Sequence, residues 1–550
     1  MVATTFAADT PLLVTELVRT DGISGNWLWW SLLAGGVFTS FFFARYWRRS
    51  GALTDLEFLT LRYAGRPMHL LRGFRAVYLG LLLNALIMAW VNLALLTLLE
   101  VFFPGIPSDT RYLILLALIG FTLLYVTLAG LKGVMYTDVL QFGVAMAGSI
   151  ALAVFVLSTE QVSGLAGLKA QLPEAQLRFF PTLSTASGDQ LALGLGAFLS
   201  MMVLQWWASW YPGNEPGGGG YVAQRMLATR NERHAVGATF LFQVFHYAVR
   251  PWPWIIVGLA AVVLYPGLPD AAAREGYVMA MQDHLPAGWR GLLLAGFFAA
   301  YLSTLSTQLN WGVSYLIGDC YRPYVRPNRT DSEYLRASRW LTLGVGLAGF
   351  GATFAIDSLA QAFELAIGAS AGLGLVLMLR WYWWRISAWS ELAATALPLV
   401  VYPVLLAIDA SGAGHQLNRP DAFFGDRTVF VLQVGITTLS WVVVTFLTRP
   451  TPPGTLASFV SRVQPRGWWR GQNRPPHTDP PIWALWVGWL AGVAGIYSLL
   501  FGVGSLLFEP ASSWWWGAST ASCAALLVWL DRRYRLLGQP EASLPAPAPD

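Results

Sequence analysis

The chain alternates long apolar runs with short polar ones. A helix that crosses a membrane needs about 20 mostly apolar residues. Fourteen runs reach or approach that length: 1–18, 26–44, 70–103, 112–130, 133–158, 192–211, 237–265, 289–318, 338–356, 359–382, 388–409, 428–448, 482–507 and 514–531. The run at 70–103 is long enough to cross with a strong tilt. Three polar stretches stand apart. Segment 51–66 (GALTDLEFLTLRYAGR) predicts an amphipathic helix beside the membrane. Segment 449–481 is rich in Pro and Arg and predicts a loop lying on the bilayer. The tail 538–550 (GQPEASLPAPAPD) predicts disorder.

Composition agrees with the pattern. Of 550 residues, 55% are hydrophobic and 12% charged, about half the ~25% charged residues of soluble domains. Mean hydropathy is +0.50. A disordered protein is excluded, the composition argues against a soluble one, and the 27 Trp, 30 Phe and 20 Tyr fit aromatic belts at two interfaces.

The net charge of +5 raises nucleic acid as a partner. The positions of the basic residues answer it. If the polar stretches alternate sides, 26 of the 35 Lys and Arg fall on one side and eight on the other, while Arg250 lies inside a run. Lys and Arg concentrate on cytoplasmic loops. The richer side is therefore cytoplasmic, both Met1 and Asp550 face it, and the charge records topology rather than a nucleic-acid surface. The expected location is the cell membrane, with no obligate protein partner implied. The two cysteines, Cys320 and Cys523, form no paired metal or redox motif. There is no GxxxxGK phosphate loop and no HExxH. Nothing here predicts an enzyme.

Two runs are interrupted. The first holds Ala8-Asp9-Thr10-Pro11, and the sixth gives way to Trp210-Tyr211-Pro212-Gly213-Asn214-Glu215-Pro216 and then Gly217 to Gly220. A helix in lipid should not break, because freed backbone groups have no water to bind. A proline kink and an interfacial loop account for these residues taken singly. Their positions add to this, since they lead two successive groups of five runs. Five is odd, so the groups are inverted relative to each other. Interruptions at matching places of inverted repeats mark the solute and ion site of a secondary transporter.

The eighth run, FFAAYLSTLSTQLNWGVSYLIGDCY, sets Ala300, Ser303 and Thr304 on one helix face. Two hydroxyls and a carbonyl suit a small hard cation; the same residue types also pack membrane helices. Ser306, Thr307, Gln308 and Asn310 predict one buried polar face on this helix. Arg250 is costly in a membrane and needs a partner or a cavity; it is either a clamp for a substrate carboxylate or phosphate or half of a structural ion pair, for which the candidate partners are Asp9, Glu16, Glu215 and Glu364. Asn84 and Asn92 face either a cavity or a neighbouring helix, and Trp210 and Tyr211 either gate a cavity or form an interfacial belt.

Four stretches together resemble the sodium:solute symporter family, which includes the sodium–sugar cotransporters. They are AAYLSTLSTQLNWGVSYLIGDCY, AGLKGVMYTDVLQ at 129–141, TDLEFLTLRYAGR, and YVAQRMLATRNERHA. The resemblance runs from residue 1 to about 390, more loosely to 480. It implies an all-α polytopic membrane protein with the leucine-transporter-like 5+5 inverted repeat and additional C-terminal helices. The repeats are 1–158 and 192–382, with an extracellular loop at 159–191 between them and the added helices in 383–537. It implies sodium-coupled symport of a small organic solute by alternating access, with sodium held by the carbonyls of Ala3, Phe6 and Ala300 and the hydroxyls of Ser303 and Thr304. Asp138, in the Thr-Asp-x-x-Gln motif, falls where a carboxylate helps sodium leave; an interfacial helix cap is the other reading. The solute would lie near Asp9, Thr10, Asn84, Trp210, Tyr211, Asn214, Glu215 and Arg250. Two departures stand out. The family pattern expects a further helix ahead of Met1. Sugar-transporting members carry Glu-Gln after the first break, where this chain has Asp9-Thr10-Pro11, so glucose or galactose specificity does not carry over. A transporter-fold sensor and proton coupling remain as rival readings.

Overall fold

A computed structural model describes residues 9–52, 54–126, 131–183, 192–193, 195–209, 216–411, 417–418, 424–472 and 479–539. Its described part is helical apart from one parallel pair of two-residue strands, Thr182–Leu183 with Ala192–Leu193. Among the described residues seven helices are long and apolar enough to cross a membrane: Gly65–Phe102, Val139–Leu157, Glu232–Leu264, Ala287–Val325, Ala388–Ser411, Thr428–Leu447 and Ile482–Phe508. Two bent pairs raise the number to nine. Ile23–Phe42 turns by 49° into Ala44–Ser50, and Asp331–Ala355 by 114° into Leu359–Ala369. Helices Ser108–Val126 and Ser513–Tyr534 coincide with two further apolar runs.

Several boundaries differ from the sequence reading for identifiable reasons. The run 359–382 is not one helix. It stops at Ala369, turns through Ser370–Leu373 and resumes as Gly374–Leu379. Gly372 at φ +93° makes the turn, with Thr437 packed where a side chain would stand. The stretch 51–66 holds a shorter helix than expected, Glu57–Arg62, and Phe58, Leu59 and Arg62 of it are buried. The loop 449–481 is not simply laid on a bilayer. It contains the helix Pro453–Val463, whose Leu456, Phe459, Val460 and Val463 are buried and which packs on Glu57–Arg62. Apolar residues at helical spacing drive that docking.

The core is aromatic, and some of its aromatic N–H and O–H groups tie helices together. Trp489 donates to the Ala34 carbonyl at 2.9 Å, Tyr497 to Trp30 at 2.8 Å and Trp252 to Leu500 at 2.8 Å, fastening Ile482–Phe508 to its neighbours. Gly65–Phe102 and Ala287–Val325 meet at Gly80 and Gly312. A side chain on Gly80 would stand 2.8 Å from the Gly312 carbonyl.

The charges gather at the end richer in arginine. Glu391 is fully buried and accepts from Arg75, from Arg380 at 2.8 Å and from Tyr63 at 2.8 Å. Arg62, also fully buried, donates to the carbonyls of Arg380, Trp383 and Ile386 and lies over the rings of Phe459 and Trp469. Asp479 pairs with Arg49 at 2.6 Å and Arg45 at 3.7 Å. Burial alone would raise the Asp479 carboxyl, but Arg49 and Arg45 outweigh it and hold it below its usual range.

Two outcomes follow. Replacing Glu391 with Gln strands two buried arginines, so Glu391→Gln should cost about 3–5 kcal/mol, read as a large fall in the thermal unfolding midpoint of the purified protein. A midpoint unchanged from wild type would refute the node's role. Asp479 has a lowered folded pKa, so its contribution is full above the unfolded value of 3.8 and is lost as pH falls further. The stability gap between wild type and Asp479→Asn should therefore be constant above pH ~5 and shrink in stronger acid.

Candidate functional site

The first described helix, Asp9–Asp21, carries the Asp9-Thr10-Pro11 part of the first interruption; residues 1–8 lie outside the described ones. Pro11 falls in its opening turn, where a missing N–H costs nothing. Asp9 lies at the helix N-terminus, where a carboxylate meets free N–H groups. The Trp90 indole hydrogen bonds to this carboxylate and Arg250 acts on it through its charge, while Asp9 Oδ1 has no partner among the described residues. Thr10 is half-buried beside it.

Arg250 is buried at the foot of Pro251–Leu264, directly after the π-helical turn Phe245–Val249. Such turns recur at functional sites. Its Nε donates to the His246 carbonyl at 3.2 Å, its Nη2 contacts His246 Nε2 at 3.2 Å, and its guanidinium lies 5.4 Å from the centre of the Trp254 ring. Of the four acids expected to meet it, Asp9 does so. Glu16 instead accepts from the Leu359 N–H at 3.4 Å, Glu364 pairs with Arg427 at 3.1 Å, and Glu215 lies outside the described residues.

The second interruption separates Leu195–Ala208 from Gly220–Leu227. Trp210, Tyr211, Asn214 and Glu215 lie outside the described residues, as do Ala3 and Phe6. The glycines after the interruption are described. Gly217 and Gly218 have φ +82° and +78°, with the Leu377 carbonyl and the Trp47 ring where side chains would be. Trp47 Nε1 donates to the Gly217 carbonyl at 2.8 Å, and the Gly220 N–H donates to Asp55 Oδ2 at 3.1 Å. The other Asp55 oxygen accepts from Tyr315 on Ala287–Val325.

On that helix Ala300 and Thr304 are 5% exposed and Ser303 is half-buried. Thr304 Oγ1 is buried and has no partner among the described residues. A hydroxyl in that state can take a cation as its partner, unlike that of Thr97, which bonds back to its own helix; Thr437 Oγ1, packed at Gly372, is in the same state. Ser306 and Gln308 continue the buried face, whereas Asn310 is exposed. Asn84 is fully buried and donates to the Gln308 carbonyl at 2.7 Å, so it joins two helices as well as bordering this face. Asn92 likewise bonds to Thr353 at 3.0 Å and accepts from Tyr301 at 3.0 Å. Asp138 belongs to the helix Leu131–Leu157, which packs on Ala287–Val325; its side chain is outside what is described.

The sequence reading missed Trp90, Asp55 and Glu391. Trp90 is one aromatic residue among many in an apolar run. Asp55 had a signal, since it stands in the TDLEF stretch, but its partners are 165 and 260 residues away.

The model of the sodium:solute symporter family matches residues 6–396. Sodium/myo-inositol cotransporter 2 of Mus musculus is 22% identical over 383 residues, covering 60% of this chain and 54% of that protein. The sodium/mannose cotransporter of Bos taurus is 23% identical over 410 residues, covering 65% and 64%. The chain thus matches between half and two thirds of the length of these relatives. A solved structure of a Na+-coupled sialic acid symporter, in a substrate-bound outward-open state, superposes with a TM-score of 0.58 at 18% identity, covering 82% of this chain and 89% of that one. At that identity the likeness is one of fold. With a family match over most of its length, this multi-pass membrane protein belongs to the sodium:solute symporter family, whose members named above are cotransporters and not enzymes.

Proposed function

We propose that the chain is a sodium-coupled symporter of a small organic solute. The observation that carries this reading is the buried, unpartnered hydroxyl of Thr304, set beside Ser303 and one turn after Ala300 on Ala287–Val325. The sodium ion is cargo in this reading. Its ligands are the hydroxyls of Ser303 and Thr304 and the carbonyls of Ala300, Ala3 and Phe6. Oxygen donors of this kind suit a hard cation. The fold is read as two inverted five-helix repeats followed by added helices, fourteen spans in all, with both termini cytoplasmic.

Solute binds between the two helix interruptions, near Asp9, Thr10, Asn84 and Arg250, with Trp210, Tyr211, Asn214 and Glu215 as further candidate contacts. Sodium binds first and favours the outward state; that difference in affinity between states is what couples ion to solute. Asp138 is the carboxylate that draws the ion toward the cytoplasm.

The test is uptake into proteoliposomes of a panel taken from the relatives (myo-inositol, mannose, glucose and sialic acid), with and without an inward sodium gradient. Sodium should stimulate uptake of at least one. Ser303→Ala combined with Thr304→Ala should abolish that stimulation while leaving the yield of folded protein unchanged. Undiminished sodium dependence in the double variant would sink the site assignment. Uptake driven by a pH gradient alone would replace sodium with protons, and solute binding without accumulation would mark a sensor.

A further inference from the structure

Two sets of helices border the second interruption. Ala287–Val325 packs on Gly65–Phe102, Ser108–Val126, Leu131–Leu157 and Asp331–Ala352. Gly220–Leu227, which follows the interruption, packs instead on Ala44–Ser50 and on Glu232–Val244, the first part of Glu232–Leu264. Trp47 fastens the glycine tract to Ala44–Ser50. Its Nε1 donates to the Gly217 carbonyl at 2.8 Å, and its ring lies where a side chain on Gly218 would stand.

Asp55 joins the two sets. It precedes Glu57–Arg62 and is 3% exposed. Its Oδ2 accepts from the N–H of Gly220, the first residue of Gly220–Leu227, at 3.1 Å. Its Oδ1 accepts from the hydroxyl of Tyr315 on Ala287–Val325, a side chain as buried as its own. Both bonds are charge-assisted. The bond to Gly220 also sets a negative charge at a helix N-terminus, which strengthens it. The bond to Tyr315 lacks that support and is the one that yields when the sets part. Tyr315 stands about three helical turns beyond Thr304, roughly 16 Å at 1.5 Å per residue, toward the end richer in arginine. While its bond is made, the helix after the interruption is held to the helix that carries the proposed ion ligands.

We propose that the bond between Asp55 and Tyr315 is the latch of the cytoplasmic gate, made while ion and solute enter from the other side and broken each time the carrier opens inward. The proposal rests on the sodium-coupled, alternating-access reading above and on its orientation in the membrane. Asp55 and Tyr315 are positioning residues, acting on the ion through the helices they hold. On opening, Asp55 keeps the Gly220 N–H, so Gly220–Leu227 and Ala44–Ser50 move as one body. The freed hydroxyl and carboxylate oxygen meet the water that enters. No polar group is left buried without a partner, so the bond can break and re-form in every cycle.

The experiment follows amide hydrogen exchange of the full chain in lipid nanodiscs by mass spectrometry, in sodium and in choline buffer. Tyr315→Phe keeps the ring and removes the bond. In choline, exchange across residues 217–227 should quicken about tenfold, because the gate opens that much more often, while Ile482–Phe508 keeps its wild-type rate. Sodium favours the outward state, so saturating sodium should return the variant to the wild-type rate; a merely loosened segment would not respond to it. Asp55→Asn keeps an acceptor for Gly220 and gives up the charge, so it should quicken the same segment by a smaller factor. Wild-type exchange across 217–227 in Tyr315→Phe would overturn the latch. So would quickening that reaches Ile482–Phe508 equally, or quickening that sodium leaves untouched although it protects wild type. If sodium alters exchange in neither protein while Tyr315→Phe still quickens 217–227 alone, the latch stands and the sodium-coupled reading fails.

Discussion

The structure depends on one constraint: a helix broken inside an apolar interior frees backbone groups that only the protein can satisfy. The tract Gly217 to Gly220 shows how this is met. Its carbonyl at Gly217 is taken by Trp47, and its N–H at Gly220 by Asp55. Neither partner is local in sequence. The interruption therefore dictates residues on Ala44–Ser50 and in the loop before Glu57–Arg62, and Asp55 in turn fixes Tyr315 on Ala287–Val325. The first interruption is treated alike. Asp9 stands at the start of Asp9–Asp21, and Trp90 and Arg250 are drawn in to meet its charge. Two broken helices thus recruit much of the polar interior.

The buried arginines follow a related rule. Glu391 compensates Arg75 and Arg380, whereas Arg62 is satisfied by carbonyl oxygens and aromatic faces. A guanidinium has five donors in a rigid plane, so a ring of carbonyls can serve it where a single carboxylate would leave donors unmet. The charge bias that marks topology in the sequence is, in three dimensions, a cross-linked layer at one end of the bundle. The helix Pro453–Val463 closes over it.

Much of this was legible in the sequence, and what was not has physical causes. Apolar runs gave helices because their length and hydropathy suffice. The second interruption was visible as Pro and Gly, and Asp9 and Arg250, read as possible partners from the sequence, do act on each other. The turn at Ser370–Leu373 was hidden because a single glycine in an apolar run is common, and Thr437, which packs against it, is distant in sequence. The docking of Pro453–Val463 was hidden because Pro and Arg dominate that stretch and mask four apolar residues at helical spacing. Asn84 had two readings, cavity or interhelical bond. Its amide nitrogen makes the interhelical bond, while its oxygen has no partner among the described residues.

The contact of Gly80 with Gly312 has a mechanical consequence. The two helices approach there backbone to backbone, with the Asn84 amide packed against Gly312 and bonded to the Gly80 and Gln308 carbonyls, so a tilt about that point turns on a contact of few rotatable groups. The contact is a fulcrum on Ala287–Val325, and its arms are unequal. At 1.5 Å per residue, Ala300 lies roughly 18 Å from it and Asp319 roughly 10 Å. A tilt of about 10° would carry Ala300 through roughly 3 Å and Asp319 through roughly 2 Å the opposite way. The long arm bears the proposed ion ligands and the short arm the charged layer. A tilt that begins at Asp319 would thereby be magnified at the proposed ion ligands.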